Sequence, residues 1–315
     1  MKKYLLTGGC GFIGSHLADE LLKMGHEVRV IDNLSTGRRS NLDSRAELIV
    51  GDVRDEQLVE LAMNGVEGCF HLAAVSSVEK SVSDWSSTHA ANLSGTINIF
   101  DAARPTDKDL AVPVVYASSA AIYGDNASMP LAEDATPRPL TAYGADKLGC
   151  ELHARVAGLI HQIPTTGLRF FNVYGPRQDP HSPYSGVISI FVDRILSGQP
   201  VTIFGDGQQI RDFVFVSDVI QFLLRGMERA STSAPIFNVC TGNGTNITQL
   251  ARTLGSVSGT GVHINGEAAR TGDIRISLGD PRRARQKLNM EATVSLGTGL
   301  RETLLFMKSS ANAAA

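Results

Sequence analysis

Three observations predict an α/β fold: a doubly wound parallel sheet followed by a smaller α/β C-terminal lobe. Short apolar runs rich in Val, Ile and Phe alternate with longer stretches of helical periodicity. A glycine-rich segment, TGGCGFIG at residues 7–14, separates the first run from the first helical stretch. The next run closes on an acid, Asp32. Strand and helix alternating over short turns call for right-handed βαβ crossovers, hence a parallel sheet covered on both faces.

The elements follow in order. YLLT is the first strand, and FIGSHLADELLKM the first helix, its apolar stripe being Ile13, Leu17, Leu21 and Met24. EVRVID, ELIVGD, GCFHLAA and VPVVYASS are the next strands, several of them ending at Gly, Asp or Ser. Residues 138–158, RPLTAYGADKLGCELHARVAG, read as a helix with Tyr143 and Lys147 one turn apart near its start. After about residue 175 the texture changes: Pro176, Pro180 and Pro183 crowd one stretch, followed by helical VISIFVDRILSG and the strand candidates VTIFG and PIFNVC. The expected division is a dinucleotide-binding domain over 1–175, a substrate lobe over 176–309 and a frayed tail over 310–315. Segments near 213–240 are candidates to return to the first sheet.

Bulk properties narrow the function. The chain has 315 residues, 43% of them hydrophobic, enough for a large core. A formal net charge of -3 gives no electrostatic reason to expect nucleic acid or an anionic membrane as partner. Arg38-Arg39 and Arg282-Arg283 are short basic pairs read as solvated surface. The apolar run after Lys2 and Lys3 stops at Thr7-Gly8-Gly9, too soon for a signal-peptide core. No run approaches the ~20 apolar residues of a membrane span. Cys10, Cys69, Cys150 and Cys240 form no CxxC pair and suggest buried thiols in a reducing, cytoplasmic setting. Neither GxSxG nor HExxH occurs and the eight histidines are scattered, so hydrolase and metal readings find no support.

TGGCGFIG satisfies GxGxxG through Gly9, Gly11 and Gly14, and GxxGxxG through Gly8, Gly11 and Gly14. Between strand and helix, such glycines allow a tight turn and close backbone approach to a pyrophosphate at the positive helix end. Asp32, eighteen residues beyond Gly14, is placed to accept from adenosine ribose hydroxyls and repel a 2′-phosphate, which favours NAD over NADP. Arg38 and Arg39 nearby would soften that preference, and a helix-capping role is the alternative for Asp32. Asp52 and Val53 follow the third strand, placed for the adenine edge.

Ser118 and Ser119 end the VVYASS strand and are read as pointing into the same crevice, although serines there also serve as turn formers. Tyr143 and Lys147, at i and i+4, share a helix face. A neighbouring ammonium favours the charged form of a phenol, which would suit Tyr143 to proton transfer.

Together these motifs identify a resemblance to the extended short-chain dehydrogenase/reductase superfamily, with its Rossmann domain, and within it to the UDP-sugar 4-epimerases. It covers nearly the whole chain: TGGCGFIG, HLAA, SSAAIYG, YGADK, RFFNVYGP, RDFVFVSD and RTGDIRISLGDP. The resemblance implies that Ser119 hydrogen-bonds the reacting sugar oxygen, Tyr143 is the base, and Lys147 touches the nicotinamide ribose. It implies NAD contacts at Gly8, Gly11, Phe12, Ile13 and Gly14, then at Asp32, Asn33, Asp52 and Val53. Leu72, Ala73, Ala74, Asn92, Ser118 and Phe170 complete that set. For the nucleotide-sugar it implies Asn172, Arg211 and Arg270 at the diphosphate, Asp273 at the ribose, and Ser76, Val187, Phe204 and Ser277 nearby.

The activity so implied is epimerisation of UDP-hexoses and UDP-N-acetylhexosamines at C4 through a transient 4-keto sugar, with NAD regenerated in each cycle. Dehydratases of the superfamily carry an Asp-Glu pair after the catalytic hydroxyl residue; Ala120 and Ala121 stand there instead. Where a bulky tyrosine excludes an N-acetyl group in resembling epimerases, this chain has Ser277, so N-acetylated sugars are expected to enter. Ser76 stands where some members have lysine. Another reaction of the superfamily on a nucleotide-sugar (UDP-glucuronate epimerase or decarboxylase, or sugar dehydratase) and a non-catalytic NAD-binding regulator are the alternatives. The family further implies a homodimer, through the Tyr143 helix and the long one before it, with Leu152 and Val156 facing either the partner or the chain's own core.

Overall fold

The computed structural model describes residues 1–314 apart from Ser77, Lys108, Pro183, Tyr184, Thr271 and Gly272. Pro183 of the proline-crowded stretch, and Thr271 and Gly272 of RTGDIRISLGDP, thus lie outside the described residues.

The first half follows the alternation read from sequence: β1 (Lys3–Thr7), α1 (Phe12–Lys23), β2 (Glu27–Asp32), β3 (Glu47–Val50), α2 (Glu56–Met63) and β4 (Gly68–His71). Then come α3 (Val78–Ser83), α4 (Trp85–His89), a π-helical turn at Ala90–Ser94, and α5 (Gly95–Ala102). β5 (Val114–Ser119), α6 (Ala142–His161), β6 (Thr165–Phe170) and β7 (Asn172–Tyr174) follow. The second half holds α7 (Val187–Leu196), β8 (Val201–Phe204), β9 (Ile210–Phe215), α8 (Val216–Glu228) and β10 (Ile236–Val239). It ends with β11 (Gly244–Asn246), α9 (Ile247–Ser258), β12 (Ile264–Glu267), β13 (Ile276–Ser277), α10 (Arg282–Lys287) and α11 (Leu296–Ala314).

The expected doubly wound sheet is present, with seven strands in the order β10-β6-β5-β4-β1-β2-β3, every pairing parallel. Successive strand residues point to opposite faces, so each strand feeds two cores. Leu6, Val30, Phe70, Val115 and Leu168 pack on one side, with Leu17 and Leu21 of α1 and Phe222 and Leu223 of α8. Leu5, Ile31, Cys69, Val114 and Tyr116 pack on the other, with Val59 of α2, Ile99 and Phe100 of α5, and Cys150 and Ala154 of α6. Each fully buried leucine or isoleucine contributes about 1.5–3 kcal/mol. All four cysteines are buried and free.

The strand order crosses over between β1 and β4, the point at which doubly wound sheets open a crevice beyond their carboxyl ends. The chain also crosses between lobes. β10 returns to the large sheet beside β6, pairing Ile236 with Gly167 through Val239 with Phe170. β9 instead centres a smaller sheet. It pairs antiparallel with β11 along one edge and, along the other, with β13 at Ile210–Arg211 and β7 at Phe213–Phe215. β8 and β12 form a separate parallel pair. α11 continues through Ala314, into the stretch read from sequence as a frayed tail.

α6 starts where Thr141 caps it, its side chain accepting from the Gly144 amide at 3.1 Å. Its inner face buries Cys150, Ala154 and Ala157, while Leu152, Val156, Leu159 and Ile160 are exposed along the outer face. Among the described residues no helix is long and apolar enough to cross a membrane.

Candidate active site

A cavity of about 1130 Å³ opens beyond the carboxyl ends of β1, β2, β4, β5 and β6, between the two lobes. Ordinary small-molecule pockets span roughly 300–1,000 Å³, so this cavity lies beyond the large end of that range.

At one end lies the glycine turn. Gly8 has a φ of +72°, and a Cβ there would lie 2.9 Å from the Ala73 amide nitrogen. A Cβ on Gly14 would come within 2.2 Å of the Gly8 carbonyl oxygen. Only glycines let turn and helix close up this way. Gly11, the N-cap of α1, has no side chain to satisfy the first-turn amides of that helix. Those amides and the positive helix end suit a pyrophosphate.

The Asp32 carboxylate is buried at the end of β2 and oriented by two backbone amides, Cys10 at 2.9 Å and Leu34 at 2.8 Å. It caps no helix; it ties the glycine turn to the loop after β2, and its remaining lone pairs can accept ribose hydroxyls. Asn33 donates to Asp52 at 2.8 Å. Arg54, bonded to the same acid, pushes the Asp52 carboxyl down to about 2, with Asn33 adding to the effect.

The wall between β4 and α5 is set by residues that the sequence reading passed over. Thr96 donates to the Asn92 carbonyl at 2.6 Å, which leaves its oxygen to accept from His71 Nε2 at 3.0 Å. His71 Nδ1 then accepts from the Thr7 hydroxyl at 2.7 Å. The Thr7 oxygen in turn accepts from the Leu72 and Ala73 amides at 3.2 and 3.1 Å. Burial, aided by the Lys147 charge, pushes His71 down to about 3, so the ring is neutral and its tautomer follows from the network. The signal was in the sequence: Thr7 opens TGGCGFIG and His71 opens HLAA.

Asn92 does not line the cavity. It is fully buried in the π-helical turn, donating to the Val75 carbonyl at 3.0 Å and accepting the Val75 amide at 2.7 Å. From this position its side chain holds the strap Leu72–Ser76 in place from behind the wall.

The two serines ending β5 also part company. Ser119 faces the cavity, its oxygen accepting from the Ala121 amide at 3.1 Å and capping the turn Ala120–Tyr123. Ser118 points the other way, as strand alternation demands, and donates to Glu151 at 2.6 Å. Glu151 is held two-pronged by Arg169 at 2.8 and 2.7 Å, all three residues being buried. Both serines line the cavity, but the Ser118 hydroxyl is turned to Glu151, so of the two hydroxyls expected to enter the crevice only that of Ser119 does.

Tyr143 and Lys147 share the face of α6 turned to this end of the cavity. Lys147 is buried, donates to the Ala117 carbonyl at 2.8 Å, and sits 5.9 Å from the centre of the Tyr143 ring. A fixed ammonium beside a phenol at the mouth of a parallel sheet can stabilise developing phenolate charge.

The opposite arm is lined by Asn172 of β7, Arg211 of β9, Ser277 of β13, and Arg270 and Asp273 before it. Ser277 stands in register with Arg211. Arg211 and Asp273 are joined at 2.5 Å, and the Arg270 guanidinium lies 3.9 Å from the centre of the Phe204 ring. Phe204 and Val187, expected to touch substrate, are not in the cavity lining: Phe204 is the platform for Arg270, and Val187 opens α7 just after the lining residue Gly186. The other expected residues do line it: Gly8, Gly11, Phe12, Ile13 and Gly14; Asp32, Asn33, Asp52 and Val53; Leu72, Ala73, Ala74 and Ser76; and Ser118 and Phe170. Sequence reasoning missed the segment Arg177–Ser182, and Phe306 and Met307 of α11, which complete the walls.

The model of the NAD dependent epimerase/dehydratase family matches residues 4–240. The chain belongs to this family. A UDP-glucose 4-epimerase of Mycolicibacterium smegmatis is 36% identical over 311 residues, covering 96% of this chain and 98% of the relative. The crystal structure of UDP-glucose 4-epimerase from Thermotoga maritima with UDP-glucose superposes with a TM-score of 0.93 at 36% identity, covering 98% and 99% of the two chains. UDP-N-acetylglucosamine 4-epimerase from Methanobrevibacter ruminantium, in complex with UDP-N-acetylmuramic acid, gives 0.92 at 33%, with the same coverage. The cofactor of this family member is NAD, and the glycine turn, uncapped helix end and oriented Asp32 fit it.

Proposed function

We propose that this protein interconverts UDP-hexoses at C4, taking UDP-N-acetylglucosamine and UDP-N-acetylgalactosamine, and UDP-glucose and UDP-galactose besides. The observation that carries the reading is the convergence of Ser119, Tyr143 and Lys147 on one cavity whose other arm holds Arg211, Arg270 and Asp273.

In this reading the glycine turn, the amides opening α1 and Asp32 hold NAD, which supplies a hydride acceptor able to return what it takes. Tyr143 removes the proton of the sugar 4-hydroxyl and later restores it. Lys147, anchored on the Ala117 carbonyl, stabilises the phenolate between those steps. Ser119 donates to the reacting oxygen. Asn172, Arg211 and Arg270 grip the diphosphate, arginine forks suiting phosphate, while the sugar stays loose enough to present its other face. Ala120 and Ala121 line the wall where an acid-base pair would be needed for dehydration, which favours epimerisation.

Ser277 supports entry of an N-acetyl group. The exposed stripe Leu152, Val156, Leu159 and Ile160 on α6 supports a homodimer formed through that face, since contiguous apolar surface is otherwise covered by a partner. Buried free thiols fit a reducing cytoplasmic setting.

The test is incubation of purified protein with each UDP-sugar, without added NAD, and chromatographic separation of the products. C4 epimers are expected. A 4-keto-6-deoxy sugar, or release of carbon dioxide from UDP-glucuronate with no epimerisation of the hexoses, would replace this reading.

A further inference from the structure

The basic pair Arg38-Arg39 follows Asp32 on the loop that borders the adenosine end of the cavity, where an unpaired arginine would attract a 2′-phosphate. Yet Arg38 is engaged. Its guanidinium forms an ion pair with Asp179, 141 residues away on the segment closing the other side of the cavity. Both partners are held in position. The Arg38 amide donates to the Cys10 carbonyl at 2.9 Å, tying the loop to the glycine turn. The Asp179 carboxylate also accepts from the His181 amide at 2.9 Å. Its segment is pinned to α1 by Arg177 with Asp19 at 2.7 Å and by His16 with the Pro176 carbonyl at 2.9 Å.

We propose that Asp179 is a cofactor-specificity residue: by pairing with Arg38, the member of the basic pair that lines the cavity, it withholds that cation from a 2′-phosphate, and so reinforces Asp32 in selecting NAD over NADP. The two acids act by different routes. Asp32 is buried against backbone amides and presents its charge directly to the ribose. Asp179 acts through Arg38, whose side chain is 64% exposed and thus free to swing once its partner is lost. Exposed ion pairs are worth at most about 1 kcal/mol, so little energy holds Arg38 away from a phosphate, and loss of the acid changes the local charge by a full unit.

The experiment is calorimetric titration of NAD and NADP into nucleotide-free protein, comparing wild type, Asp179→Asn and the double variant Arg38→Ala/Asp179→Asn. Asp179→Asn should tighten NADP relative to NAD by about fivefold, the scale of one exposed charge pair. The gain should shrink in high salt and vanish in the double variant. Equal weakening of both cofactors in Asp179→Asn would mean that the pair merely fastens the segment over the cavity. A gain persisting without Arg38 would likewise overturn the proposal.

Discussion

Ser118 donates a hydrogen bond to Glu151 at 2.6 Å, whereas the hydroxyl of Ser119, the next residue, turns to the cavity. Two adjacent hydroxyls thus face opposite ways, one into the core and one, in the proposed reaction, toward the reacting sugar oxygen. Ser118→Ala removes a hydrogen bond to a buried carboxylate and should cost about 1–3 kcal/mol, read as a lower midpoint in urea, with activity per folded molecule little changed. Ser119→Ala should do the reverse, lowering kcat about 10²-fold or more while losing only the cap on Ala121, about 1 kcal/mol.

The Glu151–Arg169 pair behind Ser118 is buried on both sides. Arg169 also donates to the Tyr123 hydroxyl at 2.8 Å and the Glu133 carbonyl at 3.0 Å. Arg169→Met leaves Glu151 without its charge partner and should destabilise by about 3–5 kcal/mol. Arg169→Met/Glu151→Leu should recover part of that loss. A double-mutant cycle on urea midpoints checks both.

Acid sensitivity should come in part from His71. Its folded-state value is pushed down to about 3 by burial, below the ordinary 6.5. Between these values the unfolded chain binds the proton and the folded chain does not. Stability from this group is therefore complete above pH 6.5 and falls as pH drops toward 3, by about 1.4 kcal/mol per unit. Urea titrations from pH 8 to 5 should show that slope, and His71→Asn should flatten it.

How far these features were legible from sequence depends on how local they are. The βαβ alternation, the glycine turn, Asp32 and the Tyr143-Lys147 pair are matters of spacing along a few residues, and each lies where spacing places it. The direction of Ser118 was legible too, since neighbours on a strand face opposite ways. Asn92 binding Val75, Arg38 meeting Asp179, and Phe306 and Met307 reaching the cavity were not, because each depends on how distant segments pack. The dual edge of β9, shared by β7 and β13, likewise has no local signature. Arg282 and Arg283, read as solvated, pair with Asp280 at 2.5 Å and with buried Glu133 at 3.4 Å.

Ser277 offers a test of sugar choice. Ser277→Tyr adds a bulky ring at the strand paired with Arg211 and should lower kcat/KM for N-acetylated substrates by roughly tenfold or more, with the plain hexoses much less affected. Such steric exclusion is within the range that pocket reshaping gives.

In the proposed reaction one cavity removes hydrogen from C4 and returns it to the opposite face. This is tested most directly with a UDP-hexose carrying deuterium at C4, incubated in ordinary water without added NAD and followed by nuclear magnetic resonance. The expected product is the C4 epimer with its deuterium retained at C4, with no turnover above background in Tyr143→Phe. An epimer whose label has been lost to solvent, or full activity without the Tyr143 hydroxyl, would contradict that reaction.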